Sequence, residues 1–199
     1  MFSGIIEATA RVKRVEKAPG ILRIFVEKPS YFNDIKTGDS IAVNGVCLTV
    51  EDIQNESLSF ALAAETLQVL GLNSGEAETF MHRPLNLERS LRFGDRIHGH
   101  LVTGHVDSLG EIVSRQQEGE SLLLQVAVKD NLRPYFWNKG SVALNGVSLT
   151  VNKVEGSVLS LCLIPETQKR TNLGDVKIGD NVTVEIDMMA RALTREQPL

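Results

Sequence analysis

Two copies of one short motif carry the cysteine and the serine best suited to chemistry in this chain. The motif Asn-Gly-Val-Cys-Leu-Thr-Val at 44–50 reappears 101 residues later with serine at its fourth position, so Cys47 corresponds to Ser148. A free thiol has a pKa of about 8.5 and is partly ionised at neutral pH, whereas a serine hydroxyl is not. The copies therefore indicate two related sites of unlike reactivity, although Cys47 is also compatible with a small buried apolar side chain.

Three of the four histidines, His98, His100 and His105, lie within residues 97–105. Histidine titrates at about pH 6.5 and can move protons at neutral pH. His105 aligns with Ile5, and His100 aligns just before Met1, so neither has a partner in the first copy. The two sites are therefore predicted to be chemically non-equivalent. Two alternatives stay open: hydrogen-bonded residues at a barrel end, and a zinc site whose other ligands are not visible nearby.

The remaining thiol and imidazole are predicted to have structural roles. Cys162 stands between Leu161 and Leu163 in an apolar run, which is typical of a small core residue. His82 lies in a segment without an equivalent in the second copy, and we expect it to be a solvated loop residue.

Further matched landmarks in the same order indicate an internal duplication. They pair Glu65-Thr66 with Glu166-Thr167, residues 2–7 with 102–107, and residues 86–88 with 183–185. The first copy carries about four extra residues within 67–84. A period near 100 residues suits a small domain rather than a solenoid unit. We expect domains at 1–97 and 98–186, followed by a helical tail at 187–199.

Alternation of apolar and polar residues predicts about six short strands in each half, separated by turns such as Asn44-Gly45, Asn55-Glu56 and Asn145-Gly146. The predicted strands are 9–16, 20–28, 40–43, 46–53, 58–63 and 85–88, then 110–116, 121–128, 141–144, 147–154, 158–163 and 181–186. Six short strands favour a closed barrel, which leaves no exposed edge. Short helices are predicted at 29–35, at 129–136 and at 187–195, the last with Asp187 as its N-cap.

The composition excludes several classes of protein. The 199 residues are 42% hydrophobic and 23% charged, which is typical of a globular chain and excludes disorder. A net charge of −4 and an aromatic content of 5% disfavour nucleic-acid binding. No apolar run reaches the roughly 18 residues of a membrane span, and no basic signal-peptide region is present. With two cysteines, a reducing cytoplasm is the expected location.

Taken together, these motifs resemble the riboflavin synthase family along nearly the whole chain. The resemblance rests on the opening Met-Phe-Ser-Gly-Ile-Ile, on 38–50, on the Gly-His-Leu-Val-Thr-Gly-His-Val-Asp run at 99–107, and on Ser148-Leu149-Thr150 with 164–167. It implies an all-β fold of two similar six-stranded antiparallel Greek-key barrels, related by internal duplication, with a short C-terminal helix. The sequence departs from the family where His98 replaces a usual glycine and where Asn145 replaces the aspartate of some members.

The resemblance also carries over a set of functional residues. Catalytic roles are expected for Cys47, His100, His105, Ser148 and Phe2, the last as an apolar wall over the site. Substrate contacts associated with the first barrel are expected from Gly4, Ile5, Ile6, Cys47, Leu48, Thr49, Ala61, Leu62, Ala63, Ala64, Glu65 and Thr66. Those associated with the second barrel are Gly104, His105, Val106, Lys139, Ser148, Leu149, Thr150, Cys162, Leu163, Ile164, Pro165, Glu166 and Thr167.

The implied reaction is the dismutation of two 6,7-dimethyl-8-ribityllumazine molecules by transfer of a four-carbon unit. It yields riboflavin and 5-amino-6-ribitylaminopyrimidinedione, with no metal or redox cofactor expected. The implied assembly is a homotrimer whose site lies between the first barrel of one subunit and the second barrel of its neighbour. Association with lumazine synthase, and which pocket holds the donor, stay open. The competing interpretations are a non-catalytic lumazine- or flavin-binding protein and a flavin reductase barrel, although no dinucleotide-binding motif accompanies the strands.

Overall fold

The computed structural model describes residues 1–54, 56–72 and 83–194. The strands of the first half are β1 (Ala8–Ala10), β2 (Val12–Ala18), β3 (Ile21–Glu27), β4 (Ser40–Val43), β5 (Val46–Gln54), β6 (Ser57–Ala63) and β7 (Leu85–Arg89). Those of the second half are β8 (Ser108–Glu118), β9 (Ser121–Ala127), β10 (Ser141–Leu144), β11 (Val147–Glu155), β12 (Val158–Leu163) and β13 (Asn181–Ile186). The helices are α1 (Ala64–Val69), α2 (Pro165–Arg170) and α3 (Met188–Thr194).

The second half is a closed antiparallel barrel of six strands. Its spatial order is β10-β11-β12-β9-β8-β13, and β13 pairs back to β10. Because β9 pairs with β12 rather than with β10, the connection is of the Greek-key type. Closure leaves no edge strand, as the run of short strands predicts.

The first half repeats this order as β1-β7-β4-β5-β6-β3-β2. Its two outer strands, β1 and β2, are separated in the chain only by Arg11 and together correspond to the unbroken β8. The single strand predicted at 9–16 is thus divided in two. Bulges confirm the duplication: the register shifts between Val12 and Arg14, and at the equivalent point between Ile112 and Ser114.

Each barrel has its own apolar core, and each core contains side chains from the other half of the sequence. Ile6 packs in the core of the second barrel with residues such as Leu149 and Val184. Val106 and Leu109 pack against the core of the first barrel. A domain boundary at residue 97 therefore assigns Ile6 and Val106 to the half of the sequence opposite to the core in which each is packed.

Several helix predictions need correction. Residues 29–35 form turns rather than a helix. The helix predicted at 129–136 is a 3-10 helix at Asp130–Tyr135, and α3 confirms the tail, with Asp187 accepting a hydrogen bond from the Met189 amide at 2.9 Å. The six-residue helices α1 and α2 and a 3-10 helix at Asn172–Asp175 were not predicted. His82, Asn55 and the last residues of the tail lie outside the described residues.

Within the described residues, no helix has both the length and the apolar character needed to cross a membrane.

Candidate active site

Each barrel opens at the same place, where two neighbouring strands part. β5 and β6 are paired from Val50 and Phe60 onward, while the preceding residues of β5 pair with β4 instead. In the second barrel the β11–β12 pairing likewise starts at Val151 and Leu161. The backbone beside Cys47 and beside Ser148 is therefore free to take a partner from elsewhere in the chain.

That partner comes from the other half. The Cys47 amide donates a hydrogen bond to the Gly104 carbonyl at 2.8 Å, and the Ser148 amide donates to the Gly4 carbonyl at the same distance. We call residues 2–6 and 102–106 the crossing segments. They also meet each other, because Phe2 and Val102 form a two-way β-bridge with N–O distances of 2.7 and 3.1 Å.

The crossing segments define two groups of predicted site residues. The first pocket combines Cys47, Leu48, Thr49 and Ala61 through Thr66 with Gly104, His105 and Val106. The second pocket combines Ser148, Leu149, Thr150 and Cys162 through Thr167 with Gly4, Ile5 and Ile6. The resemblance associates Gly4 with the first barrel and Gly104 with the second, whereas in the structure each of these segments hydrogen-bonds to the opposite barrel.

Strand parity separates the pocket residues into two kinds. On β5, Cys47 is half-buried and Thr49 exposed, while the alternating Val46 and Leu48 are buried in the core. The same parity buries Leu62, Leu149 and Leu163. The side chains of these four leucines are buried in the cores, whereas the thiol and threonine hydroxyls stand on the outer surface. Cys162 shares this outward parity, so the prediction that it is a core residue is wrong.

Phe2 does not form the predicted wall over the site. Its side chain is 0% exposed and packs with Ala42, Val102 and Ala143 between the two halves. Cys47 packs against this cluster. Burial at the meeting point of the crossing segments makes Phe2 a structural support beneath the first pocket.

His100 and Ser148 form a direct contact in the second pocket. The His100 Nδ1 atom lies 2.7 Å from Ser148 Oγ. Burial lowers the pKa of His100, and the nearby negative charge of Asp187 opposes that shift. The imidazole is thus favoured in its neutral form, which can exchange a proton with the serine hydroxyl. The His100 Nε2 atom is buried and has no hydrogen-bond partner within the part of the chain that the structure describes.

His105 follows Gly104 and is exposed beside the first pocket. The hydrogen bond between Gly104 and Cys47 fixes the segment that carries His105. The structure thus places a histidine beside the first pocket, although the first copy of the motif has no histidine counterpart of its own. Among the described residues, no group of three or more His, Cys, Asp or Glu side chains is arranged to hold a metal ion.

Lys139 adopts a left-handed backbone conformation with φ of 70°, where the first half has Gly38 with φ of 93°. Both amides donate to equivalent carbonyls, those of Val151 and Val50. A side chain in this conformation costs of the order of 1–2 kcal/mol. Lys139, an exposed residue in a strained backbone conformation, stays a predicted site residue on this ground.

Buried glutamates at the base of the crossing segments were not predicted as site residues. Glu88 and Glu185 are each 3% exposed and accept hydrogen bonds from Ser3 and Gly4, and from Thr103 and Gly104, respectively. The sequence feature that could have identified them is the match between 86–88 and 183–185. It shows that the glutamate is repeated but does not reveal its hydrogen-bond partners.

Two cavities within the described residues share a few lining residues with the pockets: Leu48 and Leu62 line the first cavity, and Ile5 lines the second. One of 490 Å³ separates the halves and is lined by Asn44, Asn145, Asn172 and the paired Arg83 and Asp180, together with buried leucines. The other, of 450 Å³, borders Ser3 and Ile5 and carries arginines mostly paired with carboxylates. Neither is lined by Cys47 or Ser148, so we place the candidate site at the two open pockets.

Comparison with known proteins finds the same duplication. The lumazine binding domain model matches the chain twice, at residues 3–90 and 103–187. Riboflavin synthase of Photobacterium leiognathi is 38% identical over 98% of this chain and 88% of its own length. The chain belongs to the riboflavin synthase family. The riboflavin synthases of Schizosaccharomyces pombe and Escherichia coli are 37% and 35% identical, covering 96% and 97% of this chain and 91% and 90% of theirs.

Within the riboflavin synthase framework, the matched repeats contain both pockets but not His100, which lies in the link between them. Solved structures share the fold. The crystal structure of LumP complexed with riboflavin has a TM-score of 0.82 at 21% identity, and that with 6,7-dimethyl-8-(1'-D-ribityl) lumazine has 0.80 at 20%. Each covers 94% of this chain and 99% of LumP.

Proposed function

We propose that this member of the riboflavin synthase family converts two molecules of 6,7-dimethyl-8-ribityllumazine into riboflavin and 5-amino-6-ribitylaminopyrimidinedione. The observation that carries the proposal is the 35–38% identity with riboflavin synthases along nearly the whole chain. One substrate molecule gives up four carbons and the other takes them. The two products together contain every atom of the two substrates, so the overall reaction consumes no external oxidant or reductant.

The two pockets would hold the two substrate molecules. Matching threonines, Thr49 with Thr150 and Thr66 with Thr167, provide hydroxyls for the ring or the ribityl chain in both pockets. Since both substrates are identical, matching frameworks suit them. Holding two reactants in a productive orientation can lower a barrier by roughly 7–11 kcal/mol.

The side chains that differ between the pockets would divide the chemistry. A proton must leave an acidified ring methyl, and a nucleophile must add to the partner ring. In the second pocket the neutral His100 imidazole and the Ser148 hydroxyl can transfer a proton at 2.7 Å. In the first pocket Cys47 is the candidate for transient addition or proton transfer, and His105 for acid–base help worth about 10²–10⁴-fold in rate.

The active assembly would be a homotrimer in which the first pocket of one subunit faces the second pocket of its neighbour. The short helix α3 supports this proposal, because its Met189 and Leu193 side chains are 57% and 69% exposed and offer an apolar contact for other copies. Asp107, which accepts a hydrogen bond from the Ile186 amide at 2.9 Å and pairs with Arg191, fixes α3 to the second barrel.

A turnover assay tests the proposal. Purified protein is incubated with 6,7-dimethyl-8-ribityllumazine alone, and riboflavin is followed by its absorbance. The proposal predicts one riboflavin for every two substrate molecules consumed. Saturable binding of the lumazine without riboflavin formation would overturn it and favour a non-catalytic lumazine-binding protein.

A further inference from the structure

We infer that Glu88 and Glu185 are positioning residues that act crosswise: each glutamate holds a crossing segment of its own half in place for the pocket of the opposite barrel. The inference rests on the proposed function, because it assumes that both pockets bind a ligand. Neither residue was assigned a role by the motifs or by the resemblance to known proteins.

Glu88 binds the first crossing segment through three hydrogen bonds. Its Oε1 atom accepts from the Ser3 amide at 2.7 Å and from Ser3 Oγ at 2.9 Å, and its Oε2 atom accepts from the Gly4 amide at 3.0 Å. Both carboxylate oxygens are used, one for each of two successive amides. This arrangement fixes the orientation of two successive peptide groups, Phe2–Ser3 and Ser3–Gly4, relative to each other.

Glu185 repeats the arrangement in the second half. Its Oε1 atom accepts from the Thr103 amide and from Thr103 Oγ1, both at 2.7 Å, and its Oε2 atom accepts from the Gly104 amide at 2.9 Å. The same three contacts at two duplicated positions indicate the same task in both halves, since each hydroxyl-bearing residue precedes a glycine with positive φ.

The electrostatic cost of these carboxylates supports a role beyond stability. Both are almost fully buried, and neither forms an ion pair with a described residue. Burial raises the pKa of Glu88, while the hydrogen bonds from Ser3 and Gly4 oppose the shift. A buried charge without a cationic partner stabilises a fold poorly, so what it provides here is the fixed geometry of its donors.

The held peptides lead directly to the opposite pockets. The Gly4 carbonyl accepts from Ser148, and the next residue, Ile5, is 44% exposed beside that pocket. A Cβ atom at Gly4 would lie 2.6 Å from the Ser148 Cβ atom, and one at Gly104 would lie 2.6 Å from the Cys47 Cβ atom. With so little space, a rotation of either peptide displaces Ile5 or His105 relative to a bound ligand.

The experiment uses one thiol in each pocket as a reporter. Cys47 belongs to the first pocket and Cys162 to the second, and both are half-buried. Alkylation by iodoacetamide is quantified at each cysteine by mass spectrometry while riboflavin is titrated. Riboflavin is a product of the proposed reaction, so the ligand is not consumed during the measurement. In the unmodified protein, protection of both thiols is expected.

Glu185→Gln is expected to raise the riboflavin concentration for half-protection of Cys47 by about ten-fold, because an amide NH₂ replaces one acceptor oxygen. Protection of Cys162 stays unchanged. Glu88→Gln is expected to do the reverse. Glu111→Gln, an exposed glutamate on β8, is the matched control and should change neither. Ser3→Ala removes one hydrogen bond to Glu88. Thr103→Val removes the bond to Glu185 and also the bond that Thr103 Oγ1 accepts from the His105 amide at 3.2 Å. Both should repeat the crosswise pattern more weakly if a glutamine variant does not fold.

Weakened protection in the pocket of the same half, or equal weakening in both pockets, would overturn the inference. Absence of protection at both thiols in the unmodified protein would instead overturn the proposed function on which it rests.

Discussion

At the scale of single residues, Cys47 and Ser148 occupy equivalent backbone positions. Cys47 pairs across its hairpin with Ala42 and Ser148 with Ala143, and both amides donate to a glycine carbonyl of the opposite half. Exchanging one side chain for the other therefore changes chemistry more than structure.

We predict that Cys47→Ser lowers kcat by about 10²-fold, whereas Ser148→Cys lowers it by less than about ten-fold. The reason is that the serine variant replaces a thiol nucleophile with a less nucleophilic hydroxyl, while the cysteine variant retains a proton-exchanging group beside His100. Initial rates of riboflavin formation measure both, with thermal unfolding as the control for folding. Equal losses would show that the pockets are interchangeable.

A second residue-scale prediction concerns acid. Burial lowers the pKa of His100 below its ordinary value of 6.5. The unfolded chain therefore takes up a proton at this position before the folded protein does, and the free energy of unfolding decreases as pH falls through that value. Chemical denaturation at pH 7.5 and at pH 5.5 should show a smaller decrease for His100→Gln than for the unmodified protein.

His98→Gln, which replaces an exposed histidine two residues away, is the control and should leave the decrease unchanged. An identical decrease with and without His100 would contradict the assigned burial effect.

The sequence identifies the reactive residues but not their partners. Cys47, Ser148 and the histidines are visible because the duplicated motif isolates the positions that differ. The contacts of His105 with the first pocket and of Ile5 with the second depend on hydrogen bonds between residues 57 and 144 positions apart in the chain, which no local pattern reveals. Phe2 was misjudged for the same reason.

At the scale of elements, the pockets form where the first residues of β5 and β11 are not paired with β6 and β12. A crossing segment hydrogen-bonds to each of these strands instead. The close approach of the crossing segment to β5 requires glycine at position 104, since the Gly104 backbone has φ of 80° and passes within contact distance of Cys47. A side chain added at this contact should therefore lower the stability of the fold more than one added at a glycine in open space.

Gly104→Ala is expected to lower the free energy of unfolding by about 1–3 kcal/mol more than Gly20→Ala. Gly20 has φ of 74° but nothing within 4 Å of a new Cβ atom, so it reports the backbone strain alone. Urea denaturation of both variants measures the difference. Equal destabilisation would mean that the crossing segment moves aside without cost.

Strand boundaries were predicted well because alternation and Asn-Gly turns are local signals: 40–43, 141–144, 158–163 and 181–186 coincide with the observed strands. The interruption at Arg11 and the helices α1 and α2 were missed. Six-residue helices carry too few residues for helical periodicity, and the interruption has no counterpart in β8.

At the scale of the whole molecule, the two halves are joined by more than a linker. Gly45 and Gly146 pack backbone to backbone, and the buried side chain of Asn172 bonds to Asn44, Asn86 and Asn145 across the junction. The halves thus form one unit that presents two unlike pockets. We propose that the pockets cooperate between subunits rather than within one chain.

Subunit mixing tests this central claim most directly. Cys47→Ser damages only the first pocket and Ser148→Ala only the second, so each variant alone should have low activity. If the variants are unfolded, mixed in equal amounts and refolded as trimers, about one interface in four combines two intact pockets. The account predicts recovery of about a quarter of the unmodified activity. A mixture no more active than the average of its two parents would contradict it.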